Sequence, residues 1–452
     1  MPEKKRTEIR IPEICRVEGH AAVVVDIKGD SVEKVQLDVF EGTRFFERIV
    51  VGHTMGEIPH ITSRVCAICS TGHVLAAIHA LERLTGFAAD EVISLLRELM
   101  HLGMFIESHA THIYALALPD FLGAQDLLAF ATEHEEHFLA WTRLRNLGAL
   151  IQTIVGGRPF HPVNLHPGGF SRLPQRSELE RILEELASIA DLPVSTCELL
   201  MKFSPPVKRI SDPTFLALIP FHDHYGYFGD RVRSSDGWED SIDNCAEYLG
   251  ERSVPYSHAR QSRAKGKLLM VGSMARLSLF GDRLAGNARQ IYRSSAMAYG
   301  DNNTIWNNLA QAIEIVEAVD RAREIVQRLL VLDPFRHDAA GITSSLRPLQ
   351  PLAGSAVGAV ECPRGTLYHF YELDERGVIL KADLITPSAQ NTARIEQDIK
   401  EVVSQVLASM KRADVDIGAS SLEQNLETLI RAYDPCNTCA THMVSVRFKN
   451  PI

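Results

Sequence analysis

Two cysteine pairs of the same form stand at opposite ends of this chain: "RVCAICSTGH" at residues 64–73 and "DPCNTCATH" at residues 434–442. A C-x-x-C turn presents two thiolates close enough to grip one soft ion. Four such sulfurs suit zinc, an iron–sulfur cluster, copper(I) or nickel. The first pair directly precedes a helical pattern beginning near Gly72, where unpaired N–H groups and the helix dipole favour thiolate. The second follows a helix that cannot continue through Asp434-Pro435. Two turns arising from different helices are therefore expected to face each other inside the folded body. A structural zinc site explains the spacing about as well as a catalytic metal does. Zinc ribbons, however, usually set their pairs within a few tens of residues. A site closed by four cysteines also has no need of the histidines that follow each pair, His73 and His442, which are spaced for supporting or separate metal duty.

A chain of 452 residues is long enough for a large buried core. Its net charge of −10 and the lack of any concentrated basic stretch argue against nucleic acid. The most apolar region, "IYALALPDFLGAQDLLAFA", is interrupted by Pro119, Asp120 and Asp126, which argues against a membrane span. The N-terminal "MPEKKRTEIRIPE" has no apolar stretch of the Sec-signal kind, and a cytoplasmic setting is expected. The other cysteines, Cys15, Cys197, Cys245 and Cys362, have no partner spacing and read as buried thiols.

The fold class expected is mainly α with a small β portion (α+β). Alternation over residues 8–17, 20–27 and 32–39, with a turn at Gly29-Asp30, predicts an N-terminal antiparallel meander. Helical periodicity follows over 72–86 and 90–118, then over 122–153, 176–203, 303–332, 391–411 and 420–433. "QRSELERI" carries a capping signature. "GTLYHFYELDERGVILKADLITP" predicts an internal hairpin turning near Asp374–Gly377. No linker or repeat divides the chain. One domain, 1–452, is expected, with a β-rich part at 1–40 and a helical part at 41–203. An irregular, surface-wrapping part spans 204–300, and helices, hairpin and the C-terminal metal motif fill 301–452.

At the cysteine pairs the chain resembles the large, catalytic subunit of nickel–iron hydrogenases, closest to the cytosolic multi-subunit branch. The likeness rests on Arg64-Val65-Cys66-Ala67-Ile68-Cys69 ending in His73, and on Asp434 through His442. Arg16-Val17-Glu18-Gly19-His20, Pro363-Arg364-Gly365 and Pro387-Ser388 extend it. The resemblance implies reversible, heterolytic cleavage of H2. It implies nickel with Cys66 and Cys436 as terminal ligands, and Cys69 and Cys439 bridging to an iron that carries carbon monoxide and two cyanides. His73 would hydrogen-bond a bridging thiolate, Arg364 would stand over the open side, and Ser388 would donate to a cyanide. Glu18 would be the first proton relay, with Cys436 or Arg364 as the nearby base. Glu47, nineteen residues before Cys66, and His442 would hold a second, hard cation, magnesium or iron. Read without the resemblance, Glu18 is a buried strand carboxylate paired with Arg16, and Glu47 lies on a solvated helix face. His109 and His112, one helical turn apart, read as core or supporting residues.

Beyond the four ligands there is no cysteine set for electron-carrying clusters and no glycine-rich nucleotide fingerprint. An iron–sulfur small subunit is therefore expected as partner, with a further acceptor module of flavin, NAD(P) or other type. Two features depart from the family pattern. "MVSVRFKNPI" follows His442 where processed relatives lose a tail; it is either a precursor segment or a retained strand. Ser108 stands where many membrane-bound relatives carry an aspartate. A non-catalytic quinone-module homologue and a zinc scaffold are the rival readings.

Overall fold

A computed structural model describes residues 6–124, 126–207, 211–332, 349–413 and 419–441. The N-terminal meander forms as expected: β1 (Arg6–Ile11), β2 (Ala21–Lys28) and β3 (Ser31–Val39) are antiparallel in that order. Alternate β2 residues, Val23 and Val25, are fully buried, as in a sheet with one face on a core. β1 ends at Ile11 rather than running to residue 17. Pro12 cannot donate to the ladder, and residues 12–20 leave the sheet, carrying Glu18 to a lone parallel bridge with Cys436.

The helical body is built on α1 (Ser70–Thr85), α2 (Glu91–Thr111) and α3 (Glu135–Gly156). The Asp90 carboxylate caps α2 by accepting from the Ile93 N–H. The continuous helix expected through residue 118 is broken by a π-helical stretch, His112–Ala117, a local form common at functional sites. The expected capping box forms at Gln175 and Glu178, but its helix stops at Ser188, and a second runs Leu192–Leu200.

Residues 204–300 do more than wrap the surface. β4 (Thr214–Leu218) is buried along its whole length, and a short helix, α4 (Ser273–Phe280), is largely buried too. Beyond it α5 (Asn307–Leu332) is buried on every side through its first three turns, as a central helix must be.

The expected hairpin is two strands of a three-stranded antiparallel sheet: β5 (Gly354–Cys362), β6 (Gly365–Leu373) and β7 (Ile379–Ile385). Asp374 closes the turn by accepting from the N–H groups of Arg376 and Val378. β5 is rich in small residues because it lies hard against α1: a β-carbon on Gly358 would fall 2.2 Å from the Ala80 nitrogen. α6 (Pro387–Ala413), α7 (Ala419–Ala432) and the single turn α8 (Asn437–Ala440) complete the described chain. No helix among the described residues is long and apolar enough to cross a membrane.

Candidate metal centre

The four sulfurs of the two C-x-x-C turns meet. Cys66, Cys69, Cys436 and Cys439 are buried, and their Sγ atoms all lie within 4.8 Å of one another. Cys66 Sγ is 3.5 Å from Cys436 Sγ, and Cys436 Sγ is 3.0 Å from Cys439 Sγ. Cys69 sits at the N-cap of α1 and Cys436 at the N-cap of α8, so each turn is held where a helix begins. The two turns come from opposite ends of the chain, as their spacing predicts.

Arg364, on the loop between β5 and β6, reaches over the sulfurs. Its Nη1 donates to Cys69 Sγ at 3.3 Å and to Ser108 Oγ at 3.3 Å. Its Nε donates to the Asp434 carbonyl and its Nη2 to Asp434 Oδ1, both at 2.8 Å. Asp434 presents both acceptors from a left-handed conformation, φ 52°, which a β-carbon disfavours by roughly 1–2 kcal/mol. Its other oxygen accepts from Gln311 Nε2 at 3.0 Å, and Gln311 Oε1 meets His112 Nδ1 at 2.5 Å. Ser108 therefore does not leave Arg364 loose. Asp434 fixes the guanidinium, and His112 supports Asp434 through Gln311. His109 bonds Glu314 rather than any metal ligand. Ser388, in the first turn of α6, accepts the Cys436 N–H at 2.9 Å and lines the small gap beside the sulfurs.

Glu18 is half-buried, and its partner is not Arg16, which pairs instead with Asp120. Its Oε2 lies 3.0 Å from Cys436 Sγ and accepts the Thr438 N–H at 3.1 Å. Its Oε1 accepts from the Thr438 hydroxyl, and its carbonyl accepts the Asn437 N–H at 2.9 Å. Arg44 ties both turns together, donating to the carbonyls of Arg64, Val65 and Thr438. Neither Thr438 nor Arg44 stands out in the sequence, because each acts through backbone geometry.

His73 Nε2 approaches Cys439 Sγ to 4.0 Å. Glu47 is 3% exposed, not on a solvated face, and its Oε1 accepts the Leu384 N–H. His442 and the tail after it lie outside the described residues. Of the four cysteines read as buried thiols, Cys15 is exposed, and its main chain rather than its sulfur is engaged, by Arg431. Cys362 is a fifth sulfur at the edge of the gap. Gly72 makes room for it: a β-carbon there would fall 2.3 Å from Cys362 Sγ.

The Arg364 loop rests on Arg276 of α4, itself 1% exposed. Arg276 donates to the carbonyls of Cys362 and Pro363 at 2.9 and 3.1 Å, and it pairs with Glu314 and Glu361. The Glu314 carboxyl is held far below its ordinary range. Arg276 and His109 outweigh the desolvation that opposes this.

Four buried sulfurs at this spacing fit a cation. Burial pushes the Cys436 thiol well up, whereas hydrogen bonds from Cys436, Cys439 and Cys66, aided by the Arg364 charge, pull Cys69 well down. Against the cost of desolvation, Asp434 and the sulfurs keep the Arg364 guanidinium charged. One guanidinium cannot hold all four sulfurs as thiolates in a dry site, and a soft metal ion supplies the charge and the bonds that would.

The sequence profile described as "Nickel-dependent hydrogenase" matches residues 44–135 and 224–442. The chain is 35% identical to sulfhydrogenase 1 subunit alpha of Pyrococcus furiosus, over 96% of this chain and 98% of that one. It is 28% identical to the NAD-reducing hydrogenase HoxS subunit beta of Cupriavidus necator, over 96% of this chain and 94% of that one. Its fold matches that in the crystal structure of an H2-reduced NAD+-reducing [NiFe]-hydrogenase, with a TM-score of 0.83 and 24% identity over 97% of this chain and 100% of that one. Helical body, small antiparallel sheets and a four-cysteine centre agree with these likenesses, and the quinone-module and zinc-scaffold readings are not favoured. The chain belongs to the nickel-dependent hydrogenase family, as a large, catalytic subunit.

Proposed function

We propose that this chain cleaves H2 reversibly at a nickel–iron centre held by Cys66, Cys69, Cys436 and Cys439, with the released proton leaving through Glu18. The observation that carries the reading is the convergence of four buried sulfurs from both ends of the chain, with a carboxylate 3.0 Å from one of them. Cys66 and Cys436 would be terminal ligands of nickel, and Cys69 and Cys439 would bridge to an iron carrying carbon monoxide and two cyanides. When bound, such a centre supplies the Lewis acidity that polarises H2 and the redox capacity that takes up its two electrons.

The chain's own residues do the rest. Cys436 Sγ can take a proton and hand it to Glu18 Oε2 without either group moving. The Thr438 N–H and hydroxyl hold that carboxylate in place. Arg364, clamped by Asp434, places a fixed positive charge over the sulfurs. Ser388 orients Cys436 through its N–H and keeps its own hydroxyl hydrogen for a polar ligand on the iron. Glu47, with His442, would hold magnesium or iron and tie the N-terminal region to the C-terminal end.

Each H2 yields two protons and two electrons, and the electrons need a carrier. An iron–sulfur small subunit and a further acceptor module follow from this, in the cytoplasmic setting of the branch the sequence resembles. We read residues 1–452 as one domain, since both ends build the same centre.

The test is isotope exchange. The assembled complex under D2 in light water is expected to form HD. Glu18→Gln should lower that exchange by roughly 10²- to 10⁴-fold while nickel and iron stay bound. Unchanged exchange in that variant overturns the relay, and no exchange in the metal-loaded wild type overturns the function.

A further inference from the structure

Behind the metal centre lies a line of side chains that the reading above does not use. His73, in the first turn of α1, faces Cys439 Sγ through Nε2. Its Nδ1 lies 3.0 Å from His369 Nε2. His369 Nδ1 in turn lies 2.7 Å from the Tyr371 hydroxyl. His369 and Tyr371 are two apart on β6, so their side chains share a face. All three are buried: His73 and Tyr371 are 1% exposed and His369 is 0% exposed.

A neutral imidazole carries one N–H and one lone pair. Each contact in the line holds a single hydrogen, so the contacts cannot choose their directions independently. If Tyr371 donates to His369 Nδ1, then His369 Nε2–H donates to His73 Nδ1, and His73 must carry its remaining hydrogen on Nε2, facing the sulfur. In the opposite direction His73 would turn a bare lone pair toward a thiolate. The sulfur end therefore selects the first direction, because a metal-bound thiolate accepts a hydrogen bond and has no hydrogen to give. At the far end burial holds the Tyr371 hydroxyl well above its ordinary value, so it has a hydrogen to donate to His369.

We propose that His369 and Tyr371 are positioning residues that fix the His73 tautomer, so that an Nε2–H is permanently aimed at the Cys439 sulfur. This inference rests on the nickel–iron reading, in which Cys439 bridges the two metals. A hydrogen bond to a ligand sulfur draws charge from it and so tunes the metals it binds. Tyr371 touches neither substrate nor metal; it acts through His369, and His369 through His73.

The experiment is infrared spectroscopy of the carbon monoxide and cyanide bands in the purified, metal-loaded complex. The variants are His369→Leu, His369→Gln and the near-isosteric Tyr371→Phe. Loss of the donated hydrogen leaves more charge on the sulfur and hence on the iron. His369→Leu and Tyr371→Phe are therefore expected to move the bands to lower frequency, while His369→Gln, whose amide can donate to His73 Nδ1, keeps them near the wild-type position. Bands in His369→Leu and Tyr371→Phe that coincide with wild type, at equal nickel and iron content, overturn the proposal. Absence of such bands in metal-loaded wild type overturns the nickel–iron reading instead. Nitrogen-15 NMR of labelled histidine in the nickel-free chain gives a second readout that needs no cofactor. Protonation of His73 at Nε2 is expected there, and protonation at Nδ1 overturns the proposal.

Discussion

Glu18 illustrates how far single residues could be read. Its motif drew attention to it, yet its partners are a backbone N–H and a hydroxyl from Thr438, at the other end of the chain. No local pattern encodes such a pair. The cysteines and His73 stood out by their spacing, whereas Arg364 and Ser388 were picked out only by the family resemblance; the fold brings His73, Arg364 and Ser388 to the edge of the sulfur cluster. Asp434 was legible as a helix stop but not as the clamp on Arg364, since its left-handed backbone is set by tertiary contacts. Glu47 alone reads as a surface residue, and only the folded chain buries it. Glu107 was not legible at all. It stands on α2 beneath α3, and burial pushes its carboxyl up to about 7, with Arg145 and the Gln152 amide only partly opposing. Because its folded value exceeds that of the unfolded chain, the protonated form favours folding. That contribution is complete below pH about 4.5 and is lost as pH rises toward about 7. Glu107→Gln should flatten this slope and raise stability above pH 7 by at most about 3 kcal/mol. Thermal unfolding across pH 4–8 checks it; an unchanged slope counts against a proton held at Glu107.

Elements were read well where one periodicity held, as in the meander, in α1 and in α5. Misreadings fall where packing or function overrides pattern. β1 stops early because residues 12–20 must reach Cys436. The π-helical stretch after α2 breaks a run whose apolar spacing looks continuous. β5 escaped notice because close contact with α1 demands small residues there, not the bulky ones that mark a strand. Buried strand β4 was hidden among Pro and Gly in a segment that looked like surface. The joint between α4 and the β5–β6 loop depends on Arg276, whose two carboxylate partners lie far along the chain. Arg276→Met leaves Glu314 and Glu361 buried without that cation and is expected to cost about 3–5 kcal/mol of stability. The onset of thermal unfolding should fall accordingly, and a variant as stable as wild type contradicts this platform role.

At the scale of the whole molecule, the metal centre is the point where the two ends of the chain close on each other. The turn leading into α1 supplies one pair of sulfurs and the turn opening α8 the other; Arg44 bridges the two turns, and Glu18 ties the N-terminal segment to the second. The sequence carried this closure in its two matched motifs, because a shared ion is what makes such distant repeats useful. It did not carry how the closure is braced, since Arg276, Asp434, His369 and Tyr371 act through contacts between elements. The most direct test is nickel-edge X-ray absorption on the purified complex, with its metal content measured on the same sample. Nickel and iron near one each, with a sulfur-dominated nickel shell and iron as a close neighbour, are predicted. Zinc in place of nickel, or a nickel shell of oxygen and nitrogen without sulfur, would contradict the account.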